Sequence, residues 1–316
     1  MSTDSDSPLP GESAEAGASS PSMPPGSTGS TGKPSKQAKA PPLAEFRVQL
    51  REAEDEVALT ALIERLAGDP RAGAQAIAKS ARGAIASARR ETARMADLIA
   101  LRDELAARGV EGIAGVDEVG VGPLAGPVVA GAVVLPETFS LVGLDDSKKV
   151  RPARRETLSK EIHACALGVG IGEVPVEEID QIGIYNASLE AMRRAVASLG
   201  RTITLGHLLV DARKVPGIDV PQTSIIKGDS KDASIAAASI VAKVHRDRHM
   251  KNLGERYPAY GFEQHMGYGT AVHMEALERE GPCPAHRRSF APVERAEKRA
   301  AYAKASRGAS SAPRSS

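Results

Sequence analysis

Hydrophobic and polar positions divide the chain into a helical segment and then alternating short strands and helices. Over residues 44–109, apolar residues recur at helical spacing among charged ones, with a shorter helix expected at 45–66 and Asp69-Pro70 as the start of a longer one. From Gly112 onward, short apolar runs alternate with amphipathic stretches. This order predicts an α/β fold in which helices flank a mixed sheet, preceded by an N-terminal helical arm.

The apolar runs after Gly112 place the elements of this predicted sheet. Strands are expected at 113–116, 128–135, 168–174, 208–210 and 224–226, and helices at 152–167, 186–199 and 233–251. A glycine-rich turn at 120–126 joins the first two strands, which predicts a hairpin.

Composition supports a folded protein without a membrane span. Hydrophobic residues make up 41% and charged residues 26%, the usual balance of globular proteins. The longest nearly apolar run, 123–136, is shorter than the ~20 residues that span a bilayer. No secretory signal is visible and the chain has only two cysteines, so we expect a cytoplasmic location.

The two ends of the chain differ from its middle. Residues 1–43 contain ten Ser, eight Pro and five Gly, which predicts a disordered tail. Residues 294–316 carry six basic and two acidic residues, which predicts a basic, disordered tail with a frayed helix at its start as the other interpretation. The predicted division is therefore these two tails, a helical extension at 44–109 and an α/β domain at 110–293. The net charge of +1 does not indicate a globally basic nucleic-acid binder, so a polyanion site would have to be local.

Acidic residues stand at the ends of three predicted strands. These residues are Asp117 and Glu118 after the first strand, Asp211 after the fourth and Asp229 after the fifth. If these strands are neighbours, their ends converge, and clustered carboxylates require cations because like charges disfavour each other. Oxygen ligands suit Mg²⁺ or Mn²⁺, and two such ions could activate water and stabilise the leaving oxygen of a phosphodiester. A lone Asp at a strand end is more commonly a turn or capping residue, so the pattern by itself leaves both interpretations open.

Glycines, basic residues and one tyrosine could complete a polyanion site. The turn 120–126 lacks the lysine of a phosphate-binding Walker loop and does not match the dinucleotide fingerprint, but its backbone could approach a sugar-phosphate closely. Five cations lie within 148–155, and Lys243 and Arg246 lie on a later predicted helix. Tyr268, between two glycines, could stack on a sugar or base. An ordinary tight turn, solvated helix charges and a core tyrosine are the alternatives.

Seven short sequence blocks follow one another between residues 115 and 270. They are GVDEVG at 115–120, GPLAGPV at 122–128, DSKK at 146–149, VDA at 210–212, KGDS at 227–230, ASIVAKV at 238–244 and HMGYGT at 265–270. These blocks resemble the ribonuclease HII family over residues 114–277. The segment DPRAGAQ at 69–75 is similar to an N-terminal extension found in some bacterial members.

The resemblance implies a ribonuclease-H-like fold and a metal-dependent endoribonuclease. Such an enzyme would cleave the RNA strand of RNA/DNA hybrids, and also 5′ of single ribonucleotides in duplex DNA, leaving 3′-hydroxyl and 5′-phosphate ends. Its catalytic metal ligands would be Asp117, Glu118, Asp211 and Asp229, which would hold two Mn²⁺ or Mg²⁺ ions. Its substrate-binding residues would include Gly120, Val121 and Gly122 at the 2′-hydroxyl and Tyr268 on the neighbouring deoxyribose.

Further substrate contacts and partners are expected on the same basis. The candidates for phosphate contacts are Ser147, Lys148, Lys227 and Lys243. Val121 stands where the family usually has arginine, so weaker binding or altered selectivity is expected. The expected partner is an RNA/DNA hybrid or ribonucleotide-containing duplex DNA, the expected state is a monomer, and no replication partner is predicted. A ribonuclease HIII-like nuclease and a non-catalytic hybrid-binding protein of the same fold are the alternatives.

Overall fold

Ten α-helices and five strands make up residues 41–310, the part of the chain that our computed structural model describes; side chains are described over 41–302. The helices are α1 Leu43–Glu52, α2 Glu56–Leu66, α3 Ala72–Ala107, α4 Pro152–Cys165, α5 Val176–Ile182, α6 Ile184–Leu199, α7 Ala233–Arg256, α8 Phe262–His265, α9 Ala271–Glu280 and α10 Ala291–Ser310. The strands are β1 Ile113–Val119, β2 Val128–Val134, β3 Gly168–Val174, β4 His207–Asp211 and β5 Gln222–Ile225.

The five strands form one mixed sheet in the order β3-β2-β1-β4-β5. β1 and β2 pair antiparallel, as the predicted hairpin requires, and β2 and β3 also pair antiparallel. β1, β4 and β5 run parallel to one another, with Val116 opposite Val210. The predicted mixed sheet is confirmed, and the three strands associated with acidic residues are neighbours whose carboxyl ends meet at one edge.

Helices cover both faces of the sheet, and glycines in the strands let them approach closely. α6 packs on one face through fully buried residues such as Met192 and Leu199. α7 packs on the other face, where a Cβ at Gly115 would lie 2.0 Å from the carbonyl carbon of Ser234. A Cβ at Gly131 would likewise lie 2.4 Å from the carbonyl oxygen of Ala238. The absence of side chains at these two glycines therefore lets the α7 backbone rest directly on β1 and β2.

The N-terminal helices precede the sheet and join it through the end of α3. α1 and α2 pack on the first half of α3 around a small core that includes Phe46 and Leu66. In the second half of α3, Leu98 packs in the core shared with α4 and α7. Arg102, only 5% exposed, donates to the carbonyl oxygens of Pro136 and Glu137, both at 2.9 Å. The helical arm is therefore attached to the sheet domain by both apolar and polar contacts.

The predicted arm differs from the observed one in two details. The predicted helix 45–66 is two helices, because Asp55 accepts a hydrogen bond from the Ala58 N–H at 2.7 Å and starts a new helix there. Asp69 does not begin the long helix; its carboxylate instead accepts from the Arg71 main-chain N–H at 3.0 Å. Local capping chemistry decided both boundaries.

The sequence patterns missed several short helices and misjudged the start of the C-terminal tail. α5, α8 and α9 were not predicted, since the first two are too short to show a periodic apolar face. The predicted disordered tail at 294–316 starts inside α10, where Val293 and Ala296 are buried against Leu124 and Leu277. Residues 1–40 of the predicted N-terminal tail, and 311–316 of the C-terminal one, lie outside the described residues. Within 41–310, no helix is both long and apolar enough to cross a membrane.

Candidate metal centre and nucleic-acid interface

Three carboxylates converge at the edge where the parallel strands end. Asp117 and Asp211 directly follow the paired residues Val116 and Val210 on adjacent strands. One carboxylate oxygen from each of Asp117, Glu118 and Asp211 can be chosen so that all three lie within 4.8 Å of one another. Asp117 and Glu118 lie inside β1, which continues to Val119, and do not follow it as the pattern predicted. The extra length arises because β2 pairs with β1 as far as Val119.

Asp229 lies beside this group on a short 3₁₀ turn, Gly228–Ser230, that follows β5. It is outside the compact set of three, but its charge raises the pKa of Asp117. The turn is tied to the cluster because the Gly228 N–H donates to the Asp211 carboxylate at 2.7 Å. All four predicted carboxylates therefore lie in one region, with Asp229 at its margin.

Burial and mutual repulsion make this region unfavourable for unneutralised charges. Burial, followed by the charge of Glu118, raises the pKa of Asp117 well above its ordinary value. Burial and the charge of Asp211 raise the pKa of Glu118. Burial, followed by the charge of Asp146, also raises the pKa of Asp229. Burial and repulsion thus disfavour the ionised carboxylates, so binding of protons or metal cations is favoured there.

The donor set fits a hard divalent cation. The buried Oε2 atom of Glu118 has no hydrogen-bond partner within the described part of the chain. The acidic group consists of carboxylate oxygens alone, without sulfur or imidazole. Such ligands suit Mg²⁺ and Mn²⁺ better than Zn²⁺. The residues present are therefore compatible with the predicted metal site.

Two strained backbone positions accompany the carboxylates. Ala212, next to Asp211, has φ 55°, and Lys227, two residues before Asp229, has φ 58°. These values lie in the left-handed region that residues with a Cβ rarely adopt. Such strain persists where surrounding contacts impose it, and it is common at functional sites.

Two buried arginines hold the glycine-rich turn that follows β1. Arg287 donates to the carbonyl oxygens of four turn residues, namely Gly120 at 2.6 Å, Val121 at 3.0 Å, Pro123 at 2.8 Å and Gly126 at 2.9 Å. Arg246 donates to Ala125 at 3.0 Å and Pro127 at 2.9 Å. Both arginines are fully buried. The turn is therefore held in place by buried donors, and within 120–126 only Gly122 is exposed and Val121 partly exposed.

Tyr268 stands beside this turn with an accessible ring. Its side chain is 42% exposed, and a Cβ built at Gly122 would lie 3.7 Å from its Cε1 atom. The loops are joined by the Leu124 N–H, which donates to the Gly267 carbonyl at 2.8 Å. The predicted glycine element and the predicted stacking tyrosine thus share one surface next to the carboxylates.

Comparison with known proteins identifies the family. The family model described as Ribonuclease HII matches residues 114–293. The chain belongs to the ribonuclease HII family. Ribonuclease HII of Bacillus cereus (strain Q1) is 55% identical over 206 residues, which cover 65% of this chain and 79% of that protein. Ribonuclease HII of Myxococcus xanthus (strain DK1622) is 52% identical over 238 residues, or 75% of this chain and 80% of that protein.

Solved structures agree with the ribonuclease H-like fold of this ribonuclease HII family member. The ribonuclease H2 of Pyrococcus horikoshii OT3 superposes with a TM-score of 0.51 and 28% identity, covering 59% of this chain and 97% of that one. A point mutant of Bst-RNase HIII gives a TM-score of 0.50 at 19% identity and covers 62% of this chain and 73% of that one, which supports the fold alone. The family match favours ribonuclease HII over the HIII alternative. The chain is therefore an endoribonuclease of the ribonuclease H class.

The predicted phosphate contacts are placed unequally in this ribonuclease HII. Lys148 is exposed, and its charge lowers the pKa of both Glu118 and Asp229, so it lies beside the cluster. Lys227 is exposed on the turn that leads to Asp229. Lys243 forms an ion pair with Asp247, and the Ser147 hydroxyl is buried against the Ser239 hydroxyl at 2.9 Å. Lys148 and Lys227 are thus accessible to a ligand, whereas Lys243 and Ser147 have internal partners, and a phosphate contact by any of the four residues stays a prediction.

Sequence reasoning missed some residues that shape the site. Asp146 lies in the DSKK block but is not among the candidate site residues, yet it is the neighbouring charge with the largest effect on the pKa of Asp229. Arg246, expected either in a polyanion site or on a solvated helix face, is fully buried, and its guanidinium donates to three main-chain carbonyls. Arg287 is not among the sequence-based candidates. A single sequence gives no signal for either arginine, because buried and exposed arginines look alike until the chain is folded.

A chain of hydrogen bonds through two buried histidines supports the Tyr268 loop. The Tyr268 carbonyl can only accept, so the His273 Nδ1 atom at 2.9 Å carries a proton. The His286 Nδ1 atom accepts from the Cys283 N–H at 3.0 Å, so His286 carries its proton on Nε2. That proton is donated to His273 Nε2 at 3.0 Å. Both rings are therefore neutral, with one possible arrangement of protons.

This pair predicts a loss of stability in mild acid. Burial, followed by the neighbouring His273, lowers the pKa of His286 to about 3. In the unfolded chain, histidine titrates near 6.5, so stability should fall as the pH drops below that value, by about 2 kcal/mol at pH 5 from this residue. Urea unfolding at pH 7 and pH 5 measures the difference. His286→Asn should flatten the dependence, whereas the matched change at exposed His163 should not; equal pH dependence in all three proteins would contradict the prediction.

Proposed function

We propose that this ribonuclease HII family member is a metal-dependent endonuclease that cuts next to ribonucleotides. Its substrates would be RNA/DNA hybrids and duplex DNA containing single ribonucleotides, cut on the 5′ side to leave 3′-hydroxyl and 5′-phosphate ends. The single observation that carries the proposal is the convergence of Asp117, Glu118 and Asp211 at one sheet edge, with Asp229 beside them. A cluster of this kind, next to a cationic and glycine-lined surface, suits a phosphodiester substrate.

The four carboxylates would hold Mg²⁺ or Mn²⁺. Ions bound there would supply a hydroxide nucleophile and neutralise charge on the scissile phosphate. Main-chain donors hold two of these ligands in place. The Gly228 N–H donates to the Asp211 carboxylate, and the Glu118 N–H donates to the Asp117 carboxylate at 2.8 Å. These bonds limit how far either aspartate can move, which is what a preorganised site requires.

The turn 120–122 and Tyr268 would recognise the ribonucleotide. The 2′-hydroxyl is the group that distinguishes RNA from DNA, and it can both donate and accept hydrogen bonds. Gly122 is exposed and carries no side chain, so its backbone is accessible within reach of the Tyr268 ring. The Val121 side chain is partly buried and uncharged, so this element contributes no cation to the surface.

A cleavage assay tests this proposal. An end-labelled DNA duplex with one central ribonucleotide should be cut once, on the 5′ side of that ribonucleotide, in the presence of Mg²⁺ or Mn²⁺. A chelator should stop the reaction, and the matched all-DNA duplex should stay intact. Tight binding without cleavage under every divalent cation would favour the non-catalytic alternative instead. Cleavage only of substrates with several consecutive ribonucleotides would contradict the proposed specificity.

A further inference from the structure

Arg213 lies two residues after Asp211 and three after Val210, the last residue of β4 that pairs with β1, at the edge where the carboxylates converge. We propose that Arg213 binds a backbone phosphate of the nucleic-acid strand as it crosses the carboxylate cluster. This inference rests on the proposed function and adds to it a residue that determines substrate affinity.

The main chain places Arg213 firmly at the sheet edge. Its N–H donates to the Asp211 carbonyl at 2.6 Å, and the intervening Ala212 has the left-handed φ of 55°. The Ala212 N–H donates in turn to the Ile225 carbonyl of β5 at 3.0 Å. Arg213 is therefore attached to the same two strands that position Asp211 and Asp229.

The side chain is oriented by α6 but keeps most of its hydrogen-bonding capacity. Its Nη1 atom donates to the buried Ser188 hydroxyl at 3.1 Å, and its guanidinium carbon lies 4.9 Å from the centre of the Tyr185 ring. Within residues 41–302, no carboxylate forms an ion pair with it, whereas Arg193 and Arg194 of α6 both pair with Glu190. A guanidinium has five N–H donors in a planar fork that matches phosphate oxygens. Arg213 is thus preoriented without being neutralised.

The charges around Arg213 favour a phosphate as its partner. Its positive charge lowers the pKa of Glu118, so Arg213 lies within electrostatic range of the cluster. The charge of the carboxylates is also opposed by burial and by their mutual repulsion, and it would be neutralised by bound cations. Lys148 also lowers the pKa of Glu118, and the preceding Ser147 contacts Ser239 on α7, while Arg213 contacts Ser188 on α6. Because α6 and α7 cover opposite faces of the sheet, the two cations belong to segments that are attached to opposite faces. A polyanionic strand passing over the cluster would meet both.

The test compares binding and catalysis in two Arg213 variants and one matched control. Arg213→Gln removes the charge and keeps an amide donor for Ser188; Arg213→Lys keeps the charge and loses the fork. Lys214→Gln removes one exposed positive charge at the next residue. Fluorescence anisotropy of the single-ribonucleotide duplex in Ca²⁺, over a range of salt concentrations, gives Kd and its salt slope. Cleavage across a Mg²⁺ titration gives kcat, KM and the metal requirement.

We expect Arg213→Gln to raise Kd and KM roughly tenfold, with kcat nearly unchanged, and to reduce the salt slope by about 0.7–0.9, the value of one lost phosphate contact. Arg213→Lys should keep most of the slope at reduced affinity, and the control should match the natural protein. An unchanged Kd and slope in Arg213→Gln would overturn the inference. A shifted Mg²⁺ requirement with the salt slope intact would also overturn it, because Arg213 would then act only through Glu118. A lower melting temperature with the slope intact would do the same, because Arg213 would then only stabilise the contact with α6. If the natural chain neither binds nor cuts the duplex, the proposed function fails as well.

Discussion

Asp117→Asn is expected to reduce kcat on a single-ribonucleotide duplex by roughly 10³-fold or more, because metal polarisation of the phosphate supplies several kcal/mol of transition-state stabilisation. Asp117 is the most buried carboxylate of the cluster, at 6% exposure. Asparagine keeps an oxygen that can accept from the Glu118 N–H, so the local backbone should persist. Duplex binding should therefore remain close to that of the natural protein.

The same substitution should have the opposite effect on stability. Burial and the charge of Glu118 raise the pKa of Asp117, so ionising it at neutral pH destabilises the folded chain when no cation is present. Asp117→Asn should raise the melting temperature in chelator and reduce the increase that Mg²⁺ produces. Asp219→Asn, at an exposed position after β4, is the matched control and should change neither quantity. Near-normal cleavage by Asp117→Asn would contradict the assignment of this residue to the metal site.

Arg287→Met is expected to lower the free energy of unfolding by about 3–5 kcal/mol, because buried carbonyls of the glycine-rich turn lose charged donors and have no water to replace them. Burial, followed by the neighbouring Arg246, lowers the pKa of Arg287 to about 9, so it remains protonated at neutral pH and keeps all its donors. Methionine preserves much of the side-chain length but none of the donors. The turn should lose its fixed geometry, and KM should rise together with the loss of stability.

Arg288→Met supplies the matched comparison for this prediction. Arg288 is exposed and forms an ion pair with Glu297, and pairs of this kind contribute about 0–1 kcal/mol. Urea unfolding of both variants measures the difference, and cleavage of the single-ribonucleotide duplex measures the effect on the turn. If the two variants were equally stable, Arg287 would not be the support of the turn that its contacts indicate.

Local sequence patterns predicted those elements that depend on interactions between residues close together in the chain. Apolar runs and capping signals placed all five strands and the helices α3, α4, α6 and α7, with differences of a few residues at their ends, but not α10. The boundary at Asp55 was missed because its hydrogen bond to the Ala58 N–H competes with a continuous apolar pattern. The short helices α5 and α8 were missed because one or two turns show no period.

The candidate site was predictable in composition but not in arrangement. The acidic residues at strand ends, the glycine turn and Tyr268 could each be found in the sequence, and each had an ordinary alternative. What separated these interpretations was the parallel pairing of β1 with β4 and of β4 with β5, which brings Asp211 next to Asp117. The burial of Arg246 and the ion pair of Lys243 with Asp247 depend on how α7 is oriented in the fold. Periodicity alone assigns both residues to a charged surface.

The sequence by itself determined the order of strands and helices, the residue types available for metal and phosphate, and the ordered blocks that resemble ribonuclease HII. The tertiary structure alone decided that Asp117, Glu118 and Asp211 share one edge and that Arg287 supports the glycine turn from within. It also decided that Arg213 contacts Ser188 and Tyr185 and, among the described residues, forms no ion pair. The physical reason is the separation along the chain over which each interaction acts. Propensity and capping act over a few neighbouring residues, whereas repulsion between carboxylates and the burial of an arginine depend on segments that are distant in the chain and become neighbours only when the sheet forms.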